Sequence, residues 1–511
     1  MTEMAFRRAD ERRWLLGIAL LTACSWGRWL STGSLKVDES YPSELVGSLL
    51  LLGLLAGWAL LVLGWRGLLA RPSFDARRLA YAGLAVSSLM LPMLSNDVFS
   101  LFAYSSAVAH GGDVYTATAA LAHTPWASWV GQRWSETVCV YGPAALVAIL
   151  PSSLGGAHPF LALFALRLAW LVPLVLVMEL SFRRLADRPG FHAMVWCNPL
   201  FLVEGPGHLH VDLLGLLAVV AGIALQRRGA TKWGWSFFSV ALLSKYTFAL
   251  GGPWFWLSGA KTPRERALRL PAMVGLFLAL AALFFAPFWH GIATVLDPMR
   301  ALARMNPGGS ITEVVSDLVL LARGGKLAPP EMPVQGAMAR DRASLEAIWV
   351  VVSLAVRLVA LGIAARVLRE MWKKPNDEAT LALGTGTLVV AALTLASHRF
   401  QSWYLLAPLP FFGMHSTRGW RRWWVAALAF CVPANFVHVL PRTAHLLPPL
   451  VAIFTGGATV VFVLWFRERY LDFGAEEPRG ASGVRGRASV PALELDLEPT
   501  RPSMAFRVID G

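Results

Sequence analysis

One carboxylate of this chain stands where an apolar segment gives way to a long polar and aromatic stretch. Asp97 follows the apolar run 78–95 and begins the segment 96–142. A carboxylate at a membrane boundary is partly desolvated, which raises its pKa and suits it to accept a proton as a general base. With Asn96 beside it, Asp97 is also placed to cap a helix. We expect Asp97 to be catalytic.

A second group of ionisable residues follows between two apolar runs. It contains Glu204, His208, His210 and Asp212. The two histidines and Asp212 are of the types that bind a metal, close a turn between helices, or hold phosphate and sugar hydroxyls. We favour the last role and expect no metal. The alternative is that these three residues bind a divalent cation. Glu204 is expected to shape the acceptor side of the site.

Two later segments add cationic and aromatic groups. Lys245 interrupts an apolar run, where it either extends to the membrane interface or neutralises a phosphate. Arg399, Gln401, Trp403 and Tyr404 lie close together near the start of another apolar run. We expect Arg399 and Gln401 to bind the donor phosphate or sugar. Trp403 and Tyr404 offer flat rings for a sugar or a lipid.

The polar segment 96–142 contains further candidates. Asp113 follows Gly111 and Gly112, so it either holds a turn or takes part in the site. Tyr115 and Tyr141 are expected, together with Asp113, to shape the acceptor side.

The elements that position these residues are membrane helices. Only 15% of the residues are charged and the mean hydropathy is +0.53, and apolar runs long enough to cross a bilayer recur along the chain. We predict an all-α polytopic protein with about 13–14 crossings, its membrane domain covering 1–469. The predicted spans are 14–31, 45–64, 78–95, 159–181, 190–204, 211–226, 231–258, 269–289, 346–368, 379–396, 402–415, 422–440 and 447–466.

The positive charge of the chain predicts its orientation. The net charge is +14, but Arg and Lys cluster in short loops between apolar runs. The positive-inside rule places such loops in the cytoplasm, so no nucleic-acid partner is expected. Both termini are then inside, and the loops 96–142 and 290–345 are outside. The segment 470–511 is rich in Pro, Gly, Ser and charge, which predicts a disordered cytoplasmic tail.

Three details adjust this topology. Basic loops flank 231–258 on both sides, so we predict two short helices that meet near Ser244 and Lys245. The run 141–154 predicts a half-length helix on the outer side. The four cysteines have no spacing typical of disulfide or metal frameworks, although Cys24 ends a possible lipoprotein processing box.

Five segments together resemble a known family, the bacterial polyprenyl-phosphate-mannose-dependent mannosyltransferases of the GT-C superfamily, which include the α-(1→6)-mannosyltransferases. The segment 97–104, DVFSLFAY, resembles the start of the family's first catalytic loop, and 140–143, VYGP, resembles its Pro-Tyr-Gly-Pro element. The segment 198–212 resembles its Asn-Pro-Leu, Glu-Gly and His-Asn-Asp elements. The segments 244–247 and 401–405 resemble its Val-Lys-Tyr and Gln-x-Trp-Tyr elements.

The resemblance implies a GT-C fold and a hexosyltransferase. Its donor would be a polyprenyl-phosphate sugar, most simply mannose, and its acceptor a glycan or glycolipid at the outer face of the cell (inner) membrane. The chain departs from the family at Val140, at Asp113-Val114, and at Val211, where the family has Asn. These departures concern the identity of sugar and acceptor.

Two other functions fit a polytopic chain of this kind. A flippase or transporter of lipid-linked glycans would show similar halves and midplane charges on many helices. The sequence shows no such symmetry, and its polar groups collect on one side. A glycan ligase or polymerase that uses a larger lipid-linked glycan is the other alternative.

Overall fold

The computed structural model describes residues 3–36, 43–70, 76–117, 121, 123–130, 137–304, 310–323, 337–397, 400–415, 418–431 and 433–436. Over these residues the chain forms helices and connecting turns, and no β-strand. The predicted all-α class is therefore confirmed. The described residues belong to one compact unit, Met1–Trp465. The predicted tail 470–511 and the predicted span 447–466 lie outside the described residues.

Nineteen α-helices are described, and connections of varied length join them. In chain order they are α1 (Glu3–Thr32), α2 (Glu44–Ala70), α3 (Ala76–Ser87), α4 (Asp97–Ala109), α5 (Pro143–Ile149), α6 (Pro159–Arg184), α7 (Pro189–Val195), α8 (Pro199–Leu202), α9 (Asp212–Gln226), α10 (Thr231–Ser244), α11 (Gly252–Leu257), α12 (Pro263–Phe285), α13 (Ala293–Arg304), α14 (Ile311–Ala322), α15 (Ala337–Lys373), α16 (Glu378–Ala391), α17 (Leu409–Met414), α18 (Arg418–Cys431) and α19 (Pro433–Phe436).

Five helices in the described part are long and apolar enough to cross a membrane. They are Glu44–Ala70, Pro159–Arg184, Pro263–Phe288, Glu346–Lys373 and Glu378–Ala396. A bent pair, Pro199–Gly207 with Asp212–Gln226, makes a sixth span if its two arms are counted as one. The polytopic membrane architecture is thus confirmed. The total of 13–14 crossings stays a prediction, because several of the predicted spans are short or broken helices.

The predicted interruption of 231–258 is present. Helix α10 ends at Ser244, Lys245 has an extended backbone, and a 3₁₀ turn (Tyr246–Gly251) leads into α11. The predicted half-length helix is also present, as α5 followed by the 3₁₀ turn Leu150–Gly155.

These two features touch each other. The Gly142 N–H donates to the carbonyl oxygen of Ser244 over 3.1 Å. A Cβ atom on Gly142 would lie 2.0 Å from the carbonyl oxygen of Leu243, so only glycine permits this approach. The end of the polar loop is therefore fastened to the break beside Lys245.

The bend between α8 and α9 arises from its sequence. A π-helical turn, Val203–Gly207, contains Pro206 and is followed by Leu209 in a left-handed conformation with φ of 59°. The chain bends by 118° between the two arms. Proline removes a backbone donor, and a left-handed leucine is rare, so the continuous helix is broken here. The break turns the side chains of 204–212 into the protein.

Two of the predicted basic loops, 183–188 and 227–232, meet at the start of α16. Arg227 Nη2 lies 2.8 Å from Asp187 Oδ2, and Arg227 Nε lies 2.7 Å from Glu378 Oε1. Arg188 also pairs with Glu378. These loops were predicted to share one side of the membrane, and they share one end of the fold.

The polar residues of 204–212 lie at the other end. Helix α9 has 15 residues and runs from Asp212 to the position before Arg227. At 1.5 Å per residue this separates the two by about 22 Å. The ionisable cluster and the basic loops therefore occupy opposite ends of the same helix.

Candidate active site

Asp97 is the first residue of α4, and its carboxylate faces the bend between α8 and α9. Its backbone N–H donates to Ser95 Oγ over 3.1 Å, while Asn96, at the cap position, makes no side-chain capping bond. Asp97 Oδ2 lies 3.4 Å from His210 Nδ1. Its side chain is 22% exposed. Asp97 is therefore a carboxylate that a substrate can reach.

Behind Asp97 lies a fully buried carboxylate. The Glu204 side chain has no exposed surface, and its Oε2 lies 3.3 Å from His208 Nδ1 and 3.2 Å from His210 Nε2. The turn that brings these residues together is held by the His210 N–H, which donates to the Glu204 carbonyl oxygen over 3.1 Å. Glu204 is thus the common partner of both imidazole rings.

His210 lies between two carboxylates, one at each ring nitrogen. A neutral imidazole carries one N–H, whereas an imidazolium carries two and can donate to both sides. His210 lies in the turn between the two helical arms, outside either of them. Burial acts to lower its pKa, but the carboxylates of Asp97 and Glu204 raise the pKa of His210 to about 9. The arrangement therefore favours a protonated His210.

The expected direction of the Asp97 shift was wrong. Burial acts to raise its pKa, but the hydrogen bond and positive charge of His210, with the charge of Lys245, hold the pKa of Asp97 below its ordinary value. Asp97 is therefore ionised at neutral pH. A base of this kind is always ready to accept a proton, but it is a weak one.

The second ion pair of the cluster joins Asp212 to Lys245. Lys245 Nζ lies 2.5 Å from Asp212 Oδ2, and both side chains are buried. The ammonium group also lies 4.2 Å from the ring centroid of Tyr404. Lys245 reaches this position because the chain breaks after α10. Its ammonium thus already has a carboxylate partner in the fold, and the predicted role of Lys245 in binding the donor phosphate stays a prediction.

The segment 401–406, in the second half of the chain, contacts the cluster through Ser402 and Trp403. Ser402 Oγ donates to Glu204 Oε1 over 2.9 Å. The Trp403 ring stacks on the His210 imidazole with centroids 4.1 Å apart and planes inclined by 13°. An aromatic face against an imidazolium is a favourable cation–π contact. Ser402 fixes the carboxylate, and Trp403 fixes the ring that the carboxylate holds.

The candidates in the first loop have structural contacts. Asp113 Oδ1 accepts from the N–H groups of Tyr115 and Thr116, at 2.9 and 3.1 Å. These bonds hold a turn, which is one of the two roles considered for Asp113. The Tyr115 hydroxyl donates to the Tyr141 carbonyl oxygen over 3.0 Å. Tyr141 in turn meets Tyr104 edge to face. These contacts shape the loop, and an acceptor-binding role for its residues stays a prediction.

Two further donor-binding residues were predicted, Arg399 and Gln401. Arg399 lies outside the described residues. Gln401 is half-buried at the position before Ser402–Leu406. Their roles stay predictions.

The alternative metal set is not assembled as the sequence suggested. His208 and His210 both face Glu204, whereas Asp212 faces Lys245. Among the residues that the structure describes, no group of three or more His, Cys, Asp or Glu side chains is arranged to hold a metal ion.

Sequence reasoning missed two residues that contact the site. Nothing in the sequence singles out Ser402, since a serine beside an aromatic pair can have many roles. Arg167 could have been singled out, because an arginine inside an apolar span costs free energy and by default indicates a functional position. Its Nη2 donates to the carbonyl oxygens of Gly207, over 2.9 Å, and of Met90. Arg167 thus fastens the segment before Asp97 to the segment before His208.

Comparison with known proteins gives matches that agree with one another. Residues 14–260 match the family model described as "Alpha-(1->6)-mannopyranosyltransferase, N-terminal domain". The chain is 30% identical over 242 residues to Alpha-(1->6)-mannopyranosyltransferase A of Mycobacterium tuberculosis, which covers 44% of this chain and 46% of that protein. It is 27% identical over 185 residues to the protein of the same name from Corynebacterium glutamicum, which covers 35% of this chain and 37% of that protein.

These alignments cover less than half of each chain. The matched segment 14–260 contains the ionisable cluster from Asp97 to Lys245, whereas Ser402, Trp403 and Tyr404 lie beyond it. No solved structure matches the chain.

Proposed function

We propose that this chain, whose residues 14–260 match the alpha-(1→6)-mannopyranosyltransferase family model, is a multi-pass membrane enzyme that transfers mannose from a polyprenyl-phosphate donor to a glycan or glycolipid acceptor. One observation carries the proposal. Asp97 is an accessible carboxylate backed by the buried His210 and Glu204, and all three lie in the matched segment. The donor class follows from the family resemblance and the membrane fold.

Asp97 acts as the base in this mechanism. The acceptor hydroxyl attacks the anomeric carbon of the mannose, and the bond between that carbon and the phosphate oxygen breaks. The phosphate leaves with the bonding electron pair, and the hydroxyl proton passes to Asp97. Because Asp97 is a weak base, its proton transfer follows most readily once the sugar–phosphate bond is largely broken.

His210 and Glu204 hold the base in place. An imidazolium fixed between two carboxylates and stacked on Trp403 has little freedom to rotate. It orients the Asp97 carboxylate and keeps it ionised before the acceptor arrives. Orientation of this kind lowers the barrier because the reacting group need not be ordered during the reaction.

We further propose that the site faces the external side of the cell (inner) membrane. The cluster and the basic ends of the helices are separated by about the length of α9. Basic loops remain in the cytoplasm during insertion. The opposite end, with Asp97, then faces outward, where a lipid-linked donor and a cell-envelope acceptor meet.

The proposal is tested with membranes that contain the full chain, labelled polyprenyl-phosphate mannose and a mannan lipid acceptor. We expect transfer by the wild type and a loss of about 100-fold or more in Asp97→Asn. Asp297→Asn is the matched control, because Asp297 is a carboxylate that pairs with Arg300 on the surface of α13 and has no predicted role in the site. It should retain most of the activity.

Two results would contradict the proposal. The first is wild-type membranes that transfer no mannose under conditions in which the chain is folded. The second is an Asp97→Asn variant that transfers mannose at the wild-type rate. Movement of the intact mannosyl lipid across the membrane, with no transfer, would identify a flippase instead.

A further inference from the structure

An apolar groove opens beside the ionisable cluster, on the surface of helix α6. Its volume is about 300 Å³. It is lined by parts of α1, the segment after α3, the first half of α6 and the bend between α8 and α9, including Trp26, Leu89, Phe164, Leu168, Leu171 and Pro206. Helix α6 is one of the candidate membrane spans, and Phe164 and Leu168 are exposed on it. The groove therefore opens sideways toward lipid.

Among the described residues that line this groove, Arg167 is the one cation. Its Nη2 donates to two backbone carbonyl oxygens, which are neutral groups. Its Nε is buried and has no hydrogen-bond partner among the described residues. A buried donor without an acceptor costs free energy, and a guanidinium paired only with neutral groups keeps its full charge. The groove thus combines an apolar wall with an unsatisfied cation.

Lys245 provides the contrast within the same site. Its ammonium already faces Asp212 at 2.5 Å, so a phosphate placed there would meet a neighbouring carboxylate. No carboxylate in the described part of the chain lies within ion-pair distance of Arg167. Arginine also matches phosphate geometry with two parallel N–H donors. Of these two cations, Arg167 is the better partner for an anion.

We propose that this groove binds the lipid carrier of the reaction, with the isoprenoid chain against α6 and its phosphate on Arg167. The inference rests on the proposed function for the identity of the lipid. Because Arg167 holds the carbonyl oxygens of Met90 and Gly207, a phosphate bound to it lies beside the segments that lead to Asp97 and His208. The groove would thereby deliver the sugar end of the donor to the base.

Binding is measured on the full chain, purified in detergent, without acceptor. The probes are a polyprenyl phosphate, the matching polyprenol, a phosphatidate and inorganic phosphate. We expect the polyprenyl phosphate to bind at least about 10-fold more tightly than the polyprenol, since a hydrogen bond to a charged group contributes that much. Arg167→Gln should remove this preference, and Arg167→Lys should retain part of it.

The apolar wall is tested separately. Leu168→Trp places a large ring in the groove and should weaken binding of both isoprenoid probes. Leu176→Trp is the matched control, because Leu176 is also an exposed leucine of α6 but does not line the groove. It should bind as the wild type does. If Arg167→Gln does not fold, Arg167→Lys and the two tryptophan variants still decide the question.

Three outcomes would overturn the inference. They are a phosphatidate that competes as well as the polyprenyl phosphate, an Arg167→Gln variant that keeps the phosphate preference, and a Leu168→Trp variant that binds like the wild type. The binding assay needs no turnover, so its result is independent of the transferase test. Wild-type protein that binds the lipid as expected but transfers no mannose would refute the proposed function, and the inference that the groove binds the lipid would still stand.

Discussion

The Ser402 hydroxyl donates to the Glu204 carboxylate over 2.9 Å, although the two residues are 198 positions apart. This bond joins the segment that matches the mannosyltransferase family to the part of the chain beyond the match. It also completes the surroundings of Glu204, whose other carboxylate oxygen faces both histidines. The candidate site therefore depends on both halves of the chain.

The first prediction concerns the effect of removing this hydroxyl. Ser402→Ala leaves one oxygen of a buried carboxylate without its donor, and we expect a loss of about 1.5–3 kcal/mol of stability. Transfer activity should fall as well, because Glu204 holds His210. Thermal unfolding in detergent and the mannose-transfer assay measure the two effects. Ser236→Ala is the control, since Ser236 is a half-buried helix residue whose hydroxyl donates to the Lys232 carbonyl oxygen of its own helix. Equal unfolding temperatures for Ser402→Ala and Ser236→Ala would contradict the expectation.

The Lys245–Asp212 pair gives a second prediction. Asp212→Asn leaves a buried ammonium without its counter-charge, which typically costs about 3–5 kcal/mol. The double variant Asp212→Leu with Lys245→Met removes both charges and should recover most of that loss. Asp297→Asn is the control, because Asp297 pairs with Arg300 at 3.0 Å on the exposed surface of α13. Its loss should be at most about 1 kcal/mol. A double variant less stable than Asp212→Asn would show that the pair itself stabilises the fold.

The state of His210 predicts how stability depends on pH. In the unfolded chain a histidine has a pKa near its ordinary 6.5, whereas the carboxylates raise the pKa of the folded His210 to about 9. The stabilisation, on the order of 3 kcal/mol, is therefore complete below about pH 6.5 and lost as the pH rises through about 9. The difference in unfolding temperature between wild type and His210→Gln should shrink across this window. A difference that stays constant from pH 6 to 9.5 would mean that His210 does not carry the proton.

Orientation in the membrane is the fourth prediction. His110, at the end of α4, and Arg228, after α9, are both exposed. His110 lies in the segment 96–142 that is predicted to be outside, and Arg228 lies in a basic loop that is predicted to be inside. A membrane-impermeant maleimide should label His110→Cys in intact cells or spheroplasts. It should label Arg228→Cys only after the membrane is opened. Labelling of both cysteines in closed cells, or of Arg228→Cys alone, would contradict the external placement of the site.

The sequence by itself determined the local features of this protein. The apolar runs predicted the spans, because the cost of placing charge in lipid acts on each segment separately. Opposed basic loops predicted the break at Lys245, and the change from apolar to polar residues singled out Asp97. The family resemblance, which the match over 14–260 supports, likewise depends on short motifs that read along the chain.

Only the tertiary structure decided which side chains meet. The pairing of Glu204 with both histidines requires the π-turn and the left-handed Leu209, and its bond to Ser402 requires helix packing across 198 positions. The same packing set the Asp97 shift opposite to the expected direction, because desolvation is visible in the sequence whereas a neighbouring cation is not. Charge and hydropathy act locally along the chain, but hydrogen bonds and ion pairs depend on distances that only the folded protein fixes.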